Sequence, residues 1–305
     1  MSVSLKPIDR QVVVVFGASR GIGRATALLA AQRGASVVAA ARDHEALDSL
    51  ADEAAPGEVV TAVADTVDLA AVREVAELAV SRFGRIDTWA HVAGVTVYSR
   101  FEDIPPEEFR RVIDVDLMGP VHGAMAALPH LRAQGGAYIA VSSEIARRGM
   151  PLQTAYSAAK HGVDGFVEAL RVELQHDDVP VSVTQILPAA IATPFFEQAR
   201  TRLGVRPSGP PPVYPPEKVA EAILHAAQHP RRDLIVGAAA KVALLGQKVS
   251  PRLMDAFTRA AGVVLQKSKQ PREPSDTDAL FAPPGGDDRV HGTVTTTEPR
   301  GGDSG

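Results

Sequence analysis

Tyr156 and Lys160 stand four apart in Tyr156-Ser-Ala-Ala-Lys160, early in a segment, Thr154 to His176, whose composition predicts a helix, so both side chains share one face. A phenol with a pKa near ~10 is a poor base at neutral pH. A neighbouring ammonium stabilises phenolate and would draw that value toward the working range, making the tyrosine a usable acid/base. Y-x-x-x-K alone is common, usually as a packed tyrosine beside a solvated lysine. Here it follows Val141-Ser142-Ser143, the end of an apolar run, which would bring two hydroxyls to the same place. A second group of residues lies near the start of the chain: Gly17-Ala-Ser19-Arg20-Gly21-Ile22-Gly23, between a β-branched run and a helical segment. Glycines let the backbone approach a pyrophosphate, and a helix N-terminus adds N–H donors and a favourable dipole. The spacing G-x-x-x-G-x-G differs from the commoner G-x-G-x-x-G and is weak evidence without its context; a plain tight turn is the other reading.

The same residues match G-x-S-x-G, the nucleophile elbow of a hydrolase. That chemistry needs an oxyanion-hole loop from an earlier strand, and no strand precedes the one that delivers Ser19. Ser19 is therefore read as a phosphate or loop contact. The second apolar strand ends at Ala41-Arg42-Asp43. Arg20 and Arg42 offer two guanidinium groups for a 2′-phosphate, which favours NADP(H) and leaves NAD(H) as the alternative, since Asp43 could take the ribose hydroxyls.

The elements that would position these residues alternate. Strands are expected at 12–16, 36–41, 59–63, 86–92, 137–141, 181–187 and 234–236. Helices are expected at 22–33, 45–54, 69–83 (capped by Asp68 and Gly84), 106–132, 154–176 and 217–228. Short apolar strands separated by helices require right-handed crossovers and a parallel sheet covered on both faces, an α/β doubly wound sheet of about seven strands. Ligands of such sheets bind at the carboxyl edge, where the glycine loop and Ser143 would both lie.

Composition narrows the function classes. The 305 residues are 45% hydrophobic and 22% charged, with 32 Lys and Arg against 36 Asp and Glu and a net charge of −4, which gives no reason to expect a nucleic-acid partner. Without cysteine there is no disulfide, thiolate nucleophile or Cys-ligated metal, and the histidines show no metal-ligand spacing. No apolar run has the length of a signal peptide or membrane span, so a cytoplasmic protein is expected. Residues 1–240 read as the catalytic domain. Residues 241–270 read as a basic amphipathic helical extension, with six Lys and Arg against Asp255, packed on the core or across a subunit interface; an anionic membrane surface or an acidic partner is the second reading. Residues 271–305, with seven acids from Glu273 to Gly305 against Arg289 and Arg300 and few large apolar groups, read as a disordered acidic tail.

Taken in order, the glycine loop, Asp65, Ala93-Gly94, Ser143, Tyr156, Lys160 and Pro188…Thr193-Pro194 resemble the short-chain dehydrogenase/reductase family over roughly residues 10–237. The resemblance implies a Rossmann-like fold and hydride transfer between nicotinamide and a ketone or secondary alcohol, with a homodimer or homotetramer. It implies that Tyr156 exchanges the proton, that Ser143 hydrogen-bonds the carbonyl oxygen, and that Lys160 binds the nicotinamide ribose. Asp65 would contact adenine, Ala93-Gly94 would pass the ribose, and Thr193 would bind the carboxamide, with Pro188 at the end of the sixth strand. Among the departures from the pattern, His91-Val92 replaces a pair of asparagines, and Asp116 stands where a fourth catalytic residue, an asparagine, holds a water. A carboxylate there would stabilise the Lys160 ammonium and partly cancel its pull on Tyr156. These departures keep open a second reading, a sensor or scaffold that binds a dinucleotide without turnover. Phe195, Phe196 and Tyr214, in a variable lid at 189–216, favour an apolar substrate.

Overall fold

The computed structural model describes residues 3–55, 57–273 and 276–297. Its centre is a seven-stranded parallel sheet built from β1 (Val12–Phe16), β2 (Ser36–Ala41), β3 (Val59–Val63), β4 (Thr88–His91), β6 (Gly136–Val141), β7 (Val181–Pro188) and β10 (Asp233–Val236), in the order β10-β7-β6-β4-β1-β2-β3. The two-residue β5 (Val97–Tyr98) lies outside this sheet and pairs with β8 (Arg200–Thr201). Every neighbouring pair in the main sheet is parallel, with β1 between β2 and β4. The order reverses at β1, which opens the crevice where such sheets take ligands.

β1 is buried along its whole length because both faces are covered, which is why it reads VVVVF rather than alternating. On one face, α1 (Gly21–Gln32), α2 (His44–Ala54) and α7 (Pro216–Gln228) bury Val13, Val15, Ala27, Leu47, Leu50 and Ile223. On the other, α3 (Leu69–Phe83), α5 (Gly119–Gln134) and α6 (Thr154–His176) cover Val14, Phe16, Trp89 and Tyr138. Asp68 caps α3 by accepting from the Ala70 and Ala71 N–H groups, and Gly84 ends it in the left-handed conformation, φ 78°.

The helix expected over 106–132 is broken. α4 (Pro106–Ile113) passes into one π-helical turn, Asp114–Met118, before α5 begins. A single-residue insertion of this kind re-aims side chains along a helix, and here it buries Asp116 completely.

The extension also departs from expectation. α8 (Ala238–Val249) and α9 (Pro251–Phe257) are helical, but a π-turn at Thr258–Gly262 and a strand, β11 (Lys267–Pro271), follow, the strand pairing antiparallel with β9 (Val205–Pro207). Arg148 ties the helices to the domain through Gln247, Asp255 and Thr258. Their outward side chains Val242, Leu245, Val249, Leu253 and Phe257 are exposed, so core packing accounts for little of the apolar pattern.

Of the tail expected to be disordered, residues 276–297 run across the carboxyl edge of the sheet; residues 298–305 lie outside the described residues. Leu280 is buried, the Ala279 N–H donates to Gln198, and the Gly292 and Thr297 N–H groups donate to Ala192 and Val213. Hydrogen bonds and one apolar anchor hold this segment where large apolar side chains are few. Among the described residues no helix is long and apolar enough to cross a membrane.

Candidate active site

The glycine loop leaves β1 through Gly17 at φ +98°, where a Cβ would stand 2.5 Å from the Ala93 nitrogen. A Cβ on Gly23 would stand 1.9 Å from the Gly17 carbonyl oxygen, so α1 can start against the loop only with glycine there. Ser19, Arg20, Gly21, Ile22 and Gly23 line a cavity of about 250 Å³. Asp65, Ala93, Gly94, Pro188 and Thr193 line it too, as do Ser143, Tyr156 and Lys160 at its far end. A groove with a glycine-lined helix N-terminus at one end and polar side chains at the other has the layout of a dinucleotide site.

At the loop end the cations are already engaged. Arg20 donates to Asp43 at 2.6 Å and to Gln198 at 2.8 Å, while Asp43 also caps α2 through the Ala46 N–H. Arg42 donates to the carbonyls of Ala279 and Phe281 at 2.6 and 3.0 Å. Burial pulls both guanidinium groups below their ordinary pKa. Asp65 accepts from Arg111 at 2.7 Å and from the Val67 N–H.

At the far end, the Ser143 hydroxyl accepts from the Ile145 N–H at 3.2 Å and caps the short turn Glu144–Ala146. The Lys160 ammonium lies 5.3 Å from the centre of the Tyr156 ring and 3.2 Å from Asp116 Oδ1, and donates to the Val141 carbonyl at 3.4 Å. Asp116 Oδ2 accepts from the Val95 N–H at 3.0 Å. A Cβ on Gly94 would stand 2.8 Å from Asp116 Oδ1, so the ion pair needs glycine at that position.

This arrangement overturns one expectation. Burial pushes the Tyr156 phenol well above its ordinary pKa, and the Asp116 charge adds to the rise; a hydrogen bond with Ser143 opposes both. Lys160 does sit over the ring, but its charge is shared with a carboxylate, so in this environment the phenol is held protonated rather than drawn toward neutrality. Asp116 is pushed up to about 6 by burial, against the pull of Lys160.

His91 does not enter the cavity lining. It stacks on Phe16 at 5.3 Å, with Nε2 3.1 Å from the Thr66 hydroxyl, and burial followed by the charge of Lys160 holds it neutral, with its pKa lowered to about 3. Tyr214 belongs to the core instead of a substrate wall: it is buried and its hydroxyl accepts from the Ala239 N–H at 3.2 Å. Phe195 and Phe196 do line the cavity, with Phe195 5.8 Å from Tyr156.

Three polar residues that the sequence did not single out join them. Glu144 lines the cavity beside Ser143, and burial pushes its carboxyl up to about 7. Gln153 donates to Gln266 at 2.6 Å, and both line the cavity. Glu144 could have been flagged as a titratable neighbour of Ser143; Gln266 is 113 residues from Gln153, and no local signal joins them. Among the described residues no cluster of His, Asp and Glu could hold a metal ion.

A chain with this strand order, glycine loop and Ser, Tyr and Lys set has the anatomy of a short-chain dehydrogenase, and the family model for short chain dehydrogenase matches residues 11–204. The protein belongs to the short-chain dehydrogenase/reductase family of oxidoreductases. It is 41% identical over 285 residues to the uncharacterized oxidoreductase YxnA of Bacillus subtilis (strain 168), covering 92% of this chain and 80% of that one. It is 35% identical over 225 residues to the 3-oxoacyl-[acyl-carrier-protein] reductase FabG of Thermotoga maritima, covering 71% of this chain and 90% of that one. Among solved structures, an alcohol dehydrogenase from the archaeon Thermococcus sibiricus, complexed with 5-hydroxy-NADP, superposes with a TM-score of 0.66 at 26% identity, over 74% of this chain and 95% of that one. A short-chain dehydrogenase from Streptomyces avermitilis gives 0.70 at 27% identity, over 82% and 98%.

Proposed function

We propose that the protein is an NADP(H)-preferring oxidoreductase acting on a ketone or secondary alcohol, with Tyr156 as the acid/base. The reading rests on one observation: Ser143, Tyr156 and Lys160 line the same cavity as the glycine loop. A nicotinamide dinucleotide bound there supplies or accepts the hydride. The glycine loop holds its phosphates, Asp65 and Ala93-Gly94 flank the adenosine half, and Thr193 and Lys160 hold the nicotinamide half. Ser143 donates to the carbonyl oxygen of the substrate. A phenol held protonated by burial and by Asp116 is in the form that gives a proton to a carbonyl oxygen. Arg42 and Arg20 support NADP over NAD, and the 5-hydroxy-NADP bound to the Thermococcus sibiricus enzyme agrees with this.

The substrate reading is modified by the lining. Ile145, Met150, Phe195 and Phe196 form an apolar wall, while Glu144, Gln153 and Gln266 add a polar side. A carbonyl compound with an apolar body and at least one hydrogen-bonding group fits this better than a wholly apolar one. Assaying a panel of such carbonyls and alcohols by nicotinamide absorbance, with wild type against Tyr156→Phe, tests the reading. Turnover that falls at least a hundredfold in the variant, with nucleotide affinity retained, is expected. The buried Asp116–Lys160 pair and the raised phenol favour a second reading, a dinucleotide sensor without turnover; it is preferred if wild type binds nucleotide and turns over nothing in the panel.

A further inference from the structure

The C-terminal segment touches the groups expected to hold the adenosine half of a dinucleotide. The Ala279 and Phe281 carbonyls accept from Arg42. The Leu280 carbonyl accepts from Arg111 at 3.0 Å, and Arg111 in turn donates to Asp65. The Leu280 side chain is 1% exposed, in the same apolar cluster as Val95, Val115 and Tyr156. Further along, Pro283 and Pro284 line the same cavity as the glycine loop. The Gly21 N–H donates to the Arg289 carbonyl at 3.0 Å, and Gly292 passes so close to Thr193 that a Cβ there would stand 2.3 Å from its carbonyl oxygen. The segment thus crosses the cavity mouth from the Arg42 side to the Thr193 side.

Two features separate a wall from a plug. A guanidinium has five N–H donors, and neutral carbonyls that take two of them orient Arg42 without cancelling its charge. No carboxylate of the segment is paired with Arg42: Asp287 binds Gln198 and Arg289 with Arg20 nearby, and Asp288 binds Ser49 and lies 3.9 Å from Arg24. The cavity also persists beneath the segment, with residues of both as its lining.

We infer that residues 279–292 form the outer wall of the dinucleotide site: they hold Arg42 and, through Arg111, Asp65 in position, and they roof the cavity so that nucleotide leaves only when the segment lifts. This rests on the dinucleotide reading above. The test uses the full chain, NADPH fluorescence titration, and release rates by displacement, in wild type, Leu280→Asp, Gly292→Val and the exposed-helix control Val242→Ser. At least tenfold weaker binding with faster release is expected in Leu280→Asp and Gly292→Val, with the control at wild-type values. In wild type, NADPH slows amide exchange across 279–292. Gly292→Val decides the matter if Leu280→Asp fails to fold. Affinity and release within twofold of wild type, or tighter binding, overturns the inference while leaving the dinucleotide reading intact. A wild type that binds neither NADPH nor NADH sinks the dinucleotide reading and this inference with it.

Discussion

Replacing Asp116 by asparagine keeps the shape and an acceptor for the Val95 N–H while removing the charge. Two effects follow, each with its own assay. The folded protein holds Asp116 at about 6 instead of the ordinary 3.8, so folding favours its protonated form. A raised carboxyl contributes stability that is present at low pH and is lost as pH rises through the folded pKa. Roughly two pH units correspond to about 3 kcal/mol. Wild type should therefore lose about this much stability between pH 4 and 7 relative to Asp116→Asn, read as the difference between two urea-unfolding curves; terms shared by both proteins, such as Glu144, cancel. The second effect is on Tyr156. The carboxylate lies one ion pair beyond an ammonium that is 5.3 Å from the ring centre. At a separation of about 8 Å and an effective dielectric of about 20, unit charges interact by about 2 kcal/mol. The phenol of the variant should therefore titrate at lower pH than that of wild type. Tyrosinate ultraviolet absorbance, with Tyr156→Phe as the blank, reads the shift without any substrate. A phenol that titrates at the same pH in both proteins would refute the electrostatic coupling, whatever the stability curves show.

The other predictions concern different parts of the molecule. His91, held at about 3 against an ordinary 6.5, contributes stability that is present above pH 6.5 and is lost as pH falls. By pH 4.5 the loss is about 3 kcal/mol, and His91→Asn should remove it in acid denaturation monitored by circular dichroism. Glu144, pushed up to about 7, changes charge near neutrality; KM for a panel substrate should vary between pH 6 and 8 in wild type and stay flat in Glu144→Gln. The exposed row Leu245, Leu253 and Phe257 is expected to join subunits. Light scattering should give a dimer or tetramer that falls to monomer in Leu245→Glu with Phe257→Glu, and a wild-type monomer that sediments with anionic vesicles would point to a membrane surface instead.

The sheet and its main helices were legible because their signals are local and repeated. α6 runs over the residues its composition predicts, from Thr154 to His176, and each strand of the main sheet is a short apolar run between helices. The glycine loop was legible because the close approach of Gly17 and Gly23 leaves glycine as the residue that fits. The π-turn at Asp114–Met118 was not, since helix propensity continues through it and the added residue per turn has no signature of its own. The spacing of Tyr156 and Lys160 places both on one face but cannot report how deeply the phenol is buried. That depth reversed the direction of its shift. The path of the tail was not legible for a related reason. Composition counts apolar side chains, whereas residues 276–297 are held by backbone groups meeting arginines and carbonyls supplied from elsewhere in the fold.

The contact between Gly21 and Arg289 joins residues synthesised near the two ends of the described chain. During translation the Rossmann core can form as soon as β10 leaves the ribosome, but its nucleotide groove lacks a rim until more than fifty further residues have emerged. An affinity tag fused after these residues would hang beside that rim.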